Sequence, residues 1–170
     1  MDYAKPRIFD LGGRYPGCGY AGYNCINFEE FVFLPRGGDF ETSDYAAMMK
    51  DYYYFAPSHP RLMRAWKRGN ELSNIQAGGH HVDGEGLRLS PIDFCLRHYI
   101  ILSESYGWKK YGNRTFSDAE LQRGWHLNRL TITRENLTIP SSDALKTLTF
   151  PASNSFDRTS PVVKHFWEWC

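Results

Sequence analysis

Apolar and polar residues follow three successive patterns along the chain. Positions 1–22 are rich in glycine, tyrosine and proline and show no period, which predicts an irregular segment. The next run, 23–34, is apolar on both faces and lies between Gly22 and Pro35, which predicts a central strand of a sheet. Beyond position 103 the spacing becomes helical, so the sequence predicts a strand-rich first part followed by helices.

Shorter elements are predicted between and after these segments. Four stretches have the alternation or the aromatic content of strands: 52–55, 61–68, 87–89 and 94–102. Short helices are expected in three others: 43–50, 103–113 and 142–148. Ser43 is the predicted cap of the first of these helices. Ser117 stands three residues before Glu120, a capping box that predicts another helix leading to Trp125.

The predicted elements place the chain in the α/β class, as an α+β-like fragment with a mixed sheet and flanking helices. Its 170 residues suit one domain of ordinary size, or part of a larger one. The pattern divides it into an irregular segment at 1–22, a main domain at 23–130 and an extended tail at 131–170. The aromatic end of that tail, 165–169, is too apolar to stay in water, so we expect it to pack on the domain.

Composition and charge indicate which classes of binding partner and which cellular compartment to expect. Lys and Arg number 20 against 19 Asp and Glu, a net charge of +1, so no global field favours nucleic acid as a partner. The apolar runs are too short to cross a bilayer, and the N-terminus lacks the apolar core of a secretory signal. The four cysteines have no spacing typical of a metal site. We therefore expect a cytoplasmic protein without a transmembrane segment.

Two adjacent carboxylates, Glu29 and Glu30, lie inside the run that predicts the central strand. Neighbouring strand residues point to opposite faces, so one of the two is directed toward a core or a cleft. A carboxylate there costs free energy unless it is paired or serves a site. Two interpretations stay open: a general base or sugar-hydroxyl acceptor, and an ion pair with Arg64, Lys67 or Arg97.

Two histidines are candidate ligands for a metal ion or a phosphate. His80 follows two glycines, which let a backbone approach a ligand closely, and neutral imidazole is a common metal ligand. His98 lies on an otherwise apolar strand, on the face opposite to Arg97 and Tyr99. The alternatives are an exposed turn histidine for His80 and a core histidine with satisfied hydrogen bonds for His98.

Arg123, Trp125 and His126 are clustered at the end of the capped helix, just before Asn128 and Arg129. A guanidinium, an indole and an imidazole together suit a phosphate or a sugar ring, through charge-assisted hydrogen bonds on one side and stacking on the other. The alternative is an ordinary helix C-terminus, at which the tryptophan packs in the core and the cations face the helix dipole.

The order of these motifs resembles that of a cytoplasmic family 2 glycosyltransferase over positions 20–170. The segments that carry the resemblance are Asn27-Phe-Glu-Glu-Phe-Val-Phe33, Asp51-Tyr-Tyr-Tyr-Phe55, Arg64-Ala-Trp-Lys67, Gly78-Gly-His80, Leu96-Arg-His-Tyr-Ile-Ile-Leu-Ser103, Lys110-Tyr111, Arg123-Gly-Trp-His126 with Asn128-Arg129, Phe156-Asp-Arg158 and His165-Phe-Trp-Glu-Trp169. Each motif is short, and the resemblance depends on their order and spacing together.

The resemblance implies the acceptor-side, C-terminal half of a GT-A fold. It also implies transfer of a sugar from a nucleotide sugar to a glycan or small acceptor, with a divalent cation (Mn²⁺ or Mg²⁺) at the diphosphate. By resemblance His98 completes the metal site and His80 is a second candidate, while Glu29 or Glu30 contacts the acceptor hydroxyl. Substrate or diphosphate contacts are implied for five residues: Lys67, Arg97, Arg123, Trp125 and His126.

The chain also departs from the family pattern. It has no Asp-x-Asp metal motif, and no βαβ nucleotide-binding segment precedes position 23. We therefore expect a truncated form that is inactive alone. Two alternatives from other classes stay open. One is a non-catalytic carbohydrate- or partner-binding module that stacks ligands on its Trp and Tyr side chains, and the other is a protein that associates through an exposed sheet edge.

Overall fold

The computed structural model describes residues 22–36, 44–67, 71–75, 78–112, 114–150 and 153–169. The irregular segment predicted at 1–22 lies outside these residues except for Gly22, and the predicted cap Ser43 lies outside them as well. The described chain is of mixed α/β class, with a five-stranded open sheet and few helices. The predicted α/β class is confirmed at that level, whereas the sheet is antiparallel where the prediction had a mixed one.

The sheet is built on one long strand. Its members are β1 (Cys25–Leu34), β2 (Asp51–Phe55), β3 (Leu62–Trp66), β4 (Phe94–Tyr99) and β5 (Lys146–Thr147). The order is β3-β1-β2-β5, and β4 also pairs with β1. The β1–β2, β1–β3 and β2–β5 ladders are antiparallel. Strand β1 therefore has the central position that its two apolar faces predict.

The helices are short and lie mostly after β4. They are α1 (Tyr45–Met48), α2 (Glu104–Gly107), a π-helical turn (Trp108–Gly112), α3 (Asp118–Gln122) and 3₁₀ turns at Leu127–Arg129, Ser142–Ala144 and Phe166–Glu168. The predicted capping box is confirmed, since Ser117 and Glu120 each bond the other's backbone N–H. Helix α3 ends before Trp125, so that residue lies in a turn.

Two element predictions are wrong. The stretch 87–89 forms a single parallel β-bridge, between Leu89 and Cys25, instead of a strand, and the Arg88 N–H donates to the side-chain Oδ1 of Asn24 and not to a backbone carbonyl. The helix predicted at 142–148 stops at Ala144, because the next residues pair with β2 as strand β5. Tertiary hydrogen bonds override the local preference in both cases.

Other predicted boundaries differ by a few residues. Helix α1 is capped by the Asp44 side chain, which accepts from the Ala47 N–H at 3.4 Å. Strand β4 ends at Tyr99 instead of continuing to 102, and Ser103 caps α2 by accepting from the Tyr106 N–H at 3.0 Å. In both places a capping side chain determines where the element begins.

The chain divides into two compact units, each described by itself. Unit 1 comprises Met1–Glu29 and Pro60–Phe94, and unit 2 comprises Glu30–His59 and Cys95–Cys170. The core of unit 1 is small and is formed by Cys25, Met63 and Val82. Burial raises the pKa of the Cys25 thiol to about 11, so this cysteine is a core residue in its neutral form.

Unit 1 also contains a buried polar anchor on the central strand. Asn27 is fully buried, and its side-chain oxygen accepts from the backbone N–H groups of Arg61 and Leu62 at 2.7 and 2.9 Å. Its nitrogen donates to Asp93 Oδ1 at 3.0 Å. The amide thus satisfies backbone donors at the start of β3, where the β1–β3 ladder shifts register.

Unit 2 has a hydrophobic cluster on each face of its sheet. Val32 and Leu34 of β1 belong to a cluster with Tyr53 and Phe55, which we call the first face. Phe31 and Phe33 belong to the other cluster, on the second face. The aromatic C-terminal segment adds Phe166 and Trp167 to the first-face cluster, where each is 2% exposed.

Candidate functional site

Glu30 is the charged residue that the alternation of β1 directs to the first face of unit 2. It is two residues from Val32 on the same strand, and its cross-strand partner on β2 is Phe55. The Glu30 side chain is only 3% exposed. A carboxylate buried to this degree requires a compensating partner.

That partner is His98 of strand β4. Glu30 Oε1 lies 2.5 Å from His98 Nδ1, a short charge-assisted hydrogen bond. An ionised carboxylate only accepts, so Nδ1 carries the hydrogen and Nε2 of the neutral ring carries a lone pair. The His98 side chain is 38% exposed, and within the described ranges Glu30 is its hydrogen-bond partner. A buried carboxylate therefore orients an imidazole whose second nitrogen is accessible.

A second imidazole lies on the same face. The Tyr53 hydroxyl is 2.9 Å from Nδ1 of His165. The backbone N–H of Phe166 also acts on the hydroxyl oxygen and lowers the pKa of Tyr53, so we infer that the single hydroxyl hydrogen is donated to His165. In the neutral ring of His165 the hydrogen is then on Nε2, which is the opposite tautomer to that of His98.

Burial raises the pKa of Tyr53 well above its usual value, and the negative charges of Glu30 and Glu168 raise it further. The phenol therefore stays protonated and keeps its role as a hydrogen-bond donor.

Aromatic rings hold His165 in place. Its imidazole stacks on Phe55 at 4.0 Å between centroids and on Trp167 at 4.6 Å, with interplanar angles of 22° and 30°. Phe55 is also the cross-strand partner of Glu30, so one phenylalanine lies beside both pairs. The sequence prediction missed Tyr53 and His165 as site residues. The signal in the sequence that could have indicated His165 is its position as an isolated histidine at the start of a run of aromatic residues.

The two histidines predicted for a metal belong to different units. His80 is in unit 1, where its Nδ1 is 3.2 Å from Arg61 Nη1 and its carbonyl accepts from the Met63 N–H. A guanidinium beside the ring opposes binding of a cation at that nitrogen. His98 is in unit 2. In the described part of the chain, no group of three or more His, Cys, Asp or Glu side chains is arranged to hold a metal ion.

Arg97, another predicted strand residue, is not part of the first face of unit 2. Arg97 is on the opposite side of β4 from His98, and its guanidinium covers Phe33 and Phe156 and donates to the Ser153 carbonyl. Glu29 is half-buried and belongs to unit 1, as does Lys67, whose backbone N–H donates to the Asn24 carbonyl.

The three residues predicted at the end of α3 lie in unit 2 and do not form one cluster. They are Arg123, Trp125 and His126. The Arg123 guanidinium lies over the Trp125 ring at 5.1 Å. His126 has a left-handed backbone conformation, with φ of 62°, and its imidazole stacks on Phe116 at 4.7 Å. Within the described residues, Arg123 and Trp125 contact each other, and His126 contacts Phe116 and Glu120.

Comparison of the chain with protein-family models, with curated proteins and with solved structures found no match. No helix in the described ranges is both long and apolar enough to cross a membrane. The Glu30–His98 pair is thus the candidate site with the most specific geometry, and its chemistry has to be argued from its own atoms.

Proposed function

We propose that this chain forms the acceptor side of a glycosyltransferase, which moves a sugar from a nucleotide sugar to a hydroxyl group. The observation that carries the proposal is the pair formed by buried Glu30 and partly exposed His98. An imidazole held at one nitrogen by a carboxylate has its other nitrogen available to a substrate, which is what a general base requires. The motifs that resemble family 2 enzymes supply the reaction class.

His98 is the proton acceptor in the proposed reaction. Its Nε2 takes the proton of the acceptor hydroxyl while the hydroxyl oxygen bonds to the anomeric carbon of the donor sugar. The bond between that carbon and the diphosphate oxygen breaks, and the nucleoside diphosphate leaves with the electron pair. Glu30 stabilises the imidazolium, because its carboxylate already accepts the Nδ1–H hydrogen bond. Family 2 chemistry would invert the anomeric centre.

A divalent cation enters the proposal only through the family resemblance. Among the described residues His98 offers a single imidazole nitrogen, and Mg²⁺ or Mn²⁺ takes several ligands, mostly oxygens. These residues by themselves do not fit a cation, and no step above depends on one. A cation carried by the diphosphate would compete with the hydroxyl proton for Nε2 of His98.

The proposal is tested with Glu30→Gln and His98→Ala, with His81→Ala as the matched histidine control. Saccharide binding is measured by saturation-transfer NMR, and transfer by product formation from UDP-, GDP- and dTDP-sugars with and without manganese. We expect His98→Ala to reduce any transfer roughly 100-fold or more, the usual contribution of a general base. Glu30→Gln should reduce it in the same direction, and His81→Ala should leave it unchanged.

Two results would count against sugar transfer. One is the absence of any saccharide binding by the folded wild type. The other is saccharide binding that is equal in wild type and His98→Ala, with equal transfer wherever the wild type shows any. Unchanged thermal unfolding of the variants, measured alongside, separates loss of the site from loss of the fold.

A carbohydrate-binding module without catalysis is the second candidate. The observation that favours it is the half-buried Trp125 ring beside the exposed Arg123 guanidinium, a pairing suited to stacking on a sugar. Glycan binding that survives both chelation and His98→Ala, but is lost in Trp125→Ala, would favour this candidate over the first.

A further inference from the structure

Five residues of unit 2 form a closed circuit of side-chain and backbone contacts between the π-helical turn and the 3₁₀ turn at Leu127–Arg129. The Arg129 guanidinium lies over the Tyr111 ring at 5.5 Å, and the Tyr111 carbonyl accepts from the Arg114 N–H. The Arg114 guanidinium lies over Phe116 at 5.3 Å. His126 closes the circuit, because its ring stacks on Phe116 and its carbonyl accepts from the Arg129 N–H.

The circuit contains two guanidinium groups and an imidazole. Within the described residues neither arginine forms an ion pair, and the Glu120 carboxylate acts on Arg114 only at longer range. Arg129 is half-buried, and in the described part of the chain neither it nor Arg114 has an ion pair or a side-chain hydrogen bond. A half-buried guanidinium has five N–H donors to satisfy, and leaving them without acceptors costs free energy. An acceptor-rich ligand would satisfy them.

The charges in the circuit act on one another. Burial lowers the pKa of Arg129, and the positive charge of Arg114 lowers it further. Burial also lowers the pKa of His126, with Arg129 and Arg114 adding to the effect and Glu120 opposing it. Cations that destabilise one another's charged forms indicate a local positive potential, which favours an anion.

Backbone conformation holds His126 in this arrangement. Its φ of 62° is in the left-handed region, which non-glycine residues rarely occupy and which costs about 1–3 kcal/mol. A strained backbone conformation of this kind persists where contacts of the surrounding structure compensate its cost in free energy. Here it places the imidazole on Phe116, beside Arg114.

One carboxylate lies near the circuit. Glu120 Oε1 is 3.8 Å from Nε2 of His126, which is too long for a hydrogen bond. The other oxygen, Oε2, accepts from both the N–H and the hydroxyl of Ser117 in the capping box. This carboxylate is engaged with the start of α3, and its charge acts on Arg114 and His126 without a direct contact to either arginine.

We propose that Arg114, His126 and Arg129 form a binding site for a phosphate-type anion, with Arg129 as its anchor. Planar guanidinium groups bind phosphate oxygens through paired N–H donors, and Tyr111 and Phe116 fix the two arginines against their faces. The proposal goes beyond sugar transfer, because it requires only the contacts of this circuit. Inorganic pyrophosphate and a nucleotide diphosphate share the chemistry that the site would recognise.

The test measures pyrophosphate and UDP binding by calorimetry at low ionic strength, with the shift of the His126 ring resonances as a second readout. Arg129→Gln and Arg114→Gln should each weaken binding roughly tenfold or more, the effect of losing a charged hydrogen-bond partner. Arg134→Gln is the matched control, because its guanidinium also covers an aromatic ring, Trp108, outside the circuit. It should weaken binding by no more than about twofold, as screened surface charges do.

Further variants keep the outcome interpretable. Arg129→Lys should retain part of the affinity, because the charge remains while the paired donors are lost. Glu30→Gln should leave anion binding unchanged, so failure of sugar transfer and failure of this site are distinguishable. Equal affinity for pyrophosphate and UDP would mean that phosphate groups alone are recognised, and tighter UDP binding with the same arginine dependence would identify a nucleotide diphosphate. Both results support the site.

Two results would overturn the proposal. The folded wild type would give neither calorimetric heat nor a His126 shift with pyrophosphate. Alternatively, pyrophosphate affinity would be the same in Arg129→Gln, Arg114→Gln and Arg134→Gln. In either case Arg129 would serve only to pack on Tyr111.

Discussion

Tyr53 and His165 are 112 residues apart in sequence, yet the hydroxyl of the first lies 2.9 Å from Nδ1 of the second. This bond ties the aromatic C-terminal segment to strand β2, and it fixes the tautomer of His165. Because Glu30 fixes the opposite tautomer of His98, the first face of unit 2 holds one imidazole with an accepting Nε2 and one with a donating Nε2.

The opposite tautomers are the first prediction. At about pH 8, where imidazoles are mainly neutral, ¹⁵N shifts in a long-range HSQC spectrum should show the hydrogen of His98 on Nδ1 and that of His165 on Nε2. Selective changes should follow mutation: Tyr53→Phe should shift the balance only in His165, and Glu30→Gln only in His98. Finding both rings in one tautomer would contradict the hydrogen-bond assignment.

Removing the Tyr53 hydroxyl should destabilise unit 2. Tyr53→Phe deletes the donor to His165 and leaves the buried Phe166 N–H without its acceptor. We expect a loss of about 1–3 kcal/mol in the free energy of unfolding, the usual effect of leaving buried polar groups unsatisfied. Urea denaturation measures this, with Tyr106→Phe as the control, because Tyr106 is 48% exposed. If Tyr106→Phe lost as much stability as Tyr53→Phe, the lost hydrogen bond to His165 would not explain the effect.

The sequence predicted those parts of the fold and the site that depend on local pattern. Alternation along β1 predicted that the side chains of Glu29 and Glu30 point to opposite faces of the strand. Alternation along β4 predicted the same for Arg97 and His98, as observed. The Ser117–Glu120 capping box needs only four consecutive residues, and it is present. Rules of this kind act within one strand or one helical turn, so a single sequence contains them.

The rest depends on pairing between distant segments. Glu30 and His98 are 68 residues apart, and the register that joins them follows from how β4 lies along β1. Strand β5 forms where local spacing favoured a helix, because Lys146 and Thr147 find partners on β2. Such contacts arise from the packing of whole elements, which local propensity does not encode.

The buried amide of Asn27 gives a third prediction, confined to unit 1. Asn27→Ala leaves the backbone N–H groups of Arg61 and Leu62 without their acceptor and removes the donor to Asp93. Since each unsatisfied buried group costs about 1–3 kcal/mol, we expect a loss of roughly 3 kcal/mol or more. Amide hydrogen exchange should accelerate at Arg61 and Leu62 before it does so in β2.

The control for this experiment is Asn74→Ala in the same unit, because the side chain of this half-buried asparagine has no hydrogen bond within the described residues. We expect its effect to stay within about 0.5 kcal/mol, as for most surface substitutions. An Asn27→Ala protein as stable as the control would mean that water replaces the amide at the start of β3.

Asp157 gives the last prediction, a dependence of stability on acid pH. The pKa of Asp157 is lowered to about 2 by the Lys146 ammonium, which donates to its Oδ2 at 2.6 Å, and by the hydroxyl and backbone N–H of Thr159. Its value in an unfolded chain is about 3.9, so the folded state favours the ionised carboxylate. The contribution to stability is therefore complete above about pH 4 and is lost as pH falls toward about 2. Asp157→Asn should flatten the fall in melting temperature across that window, whereas Asp143→Asn, whose carboxylate contacts the Ser142 hydroxyl instead of a lysine, should not. A melting profile of Asp157→Asn that keeps the wild-type slope between these pH values would show that other carboxylates govern the acid response.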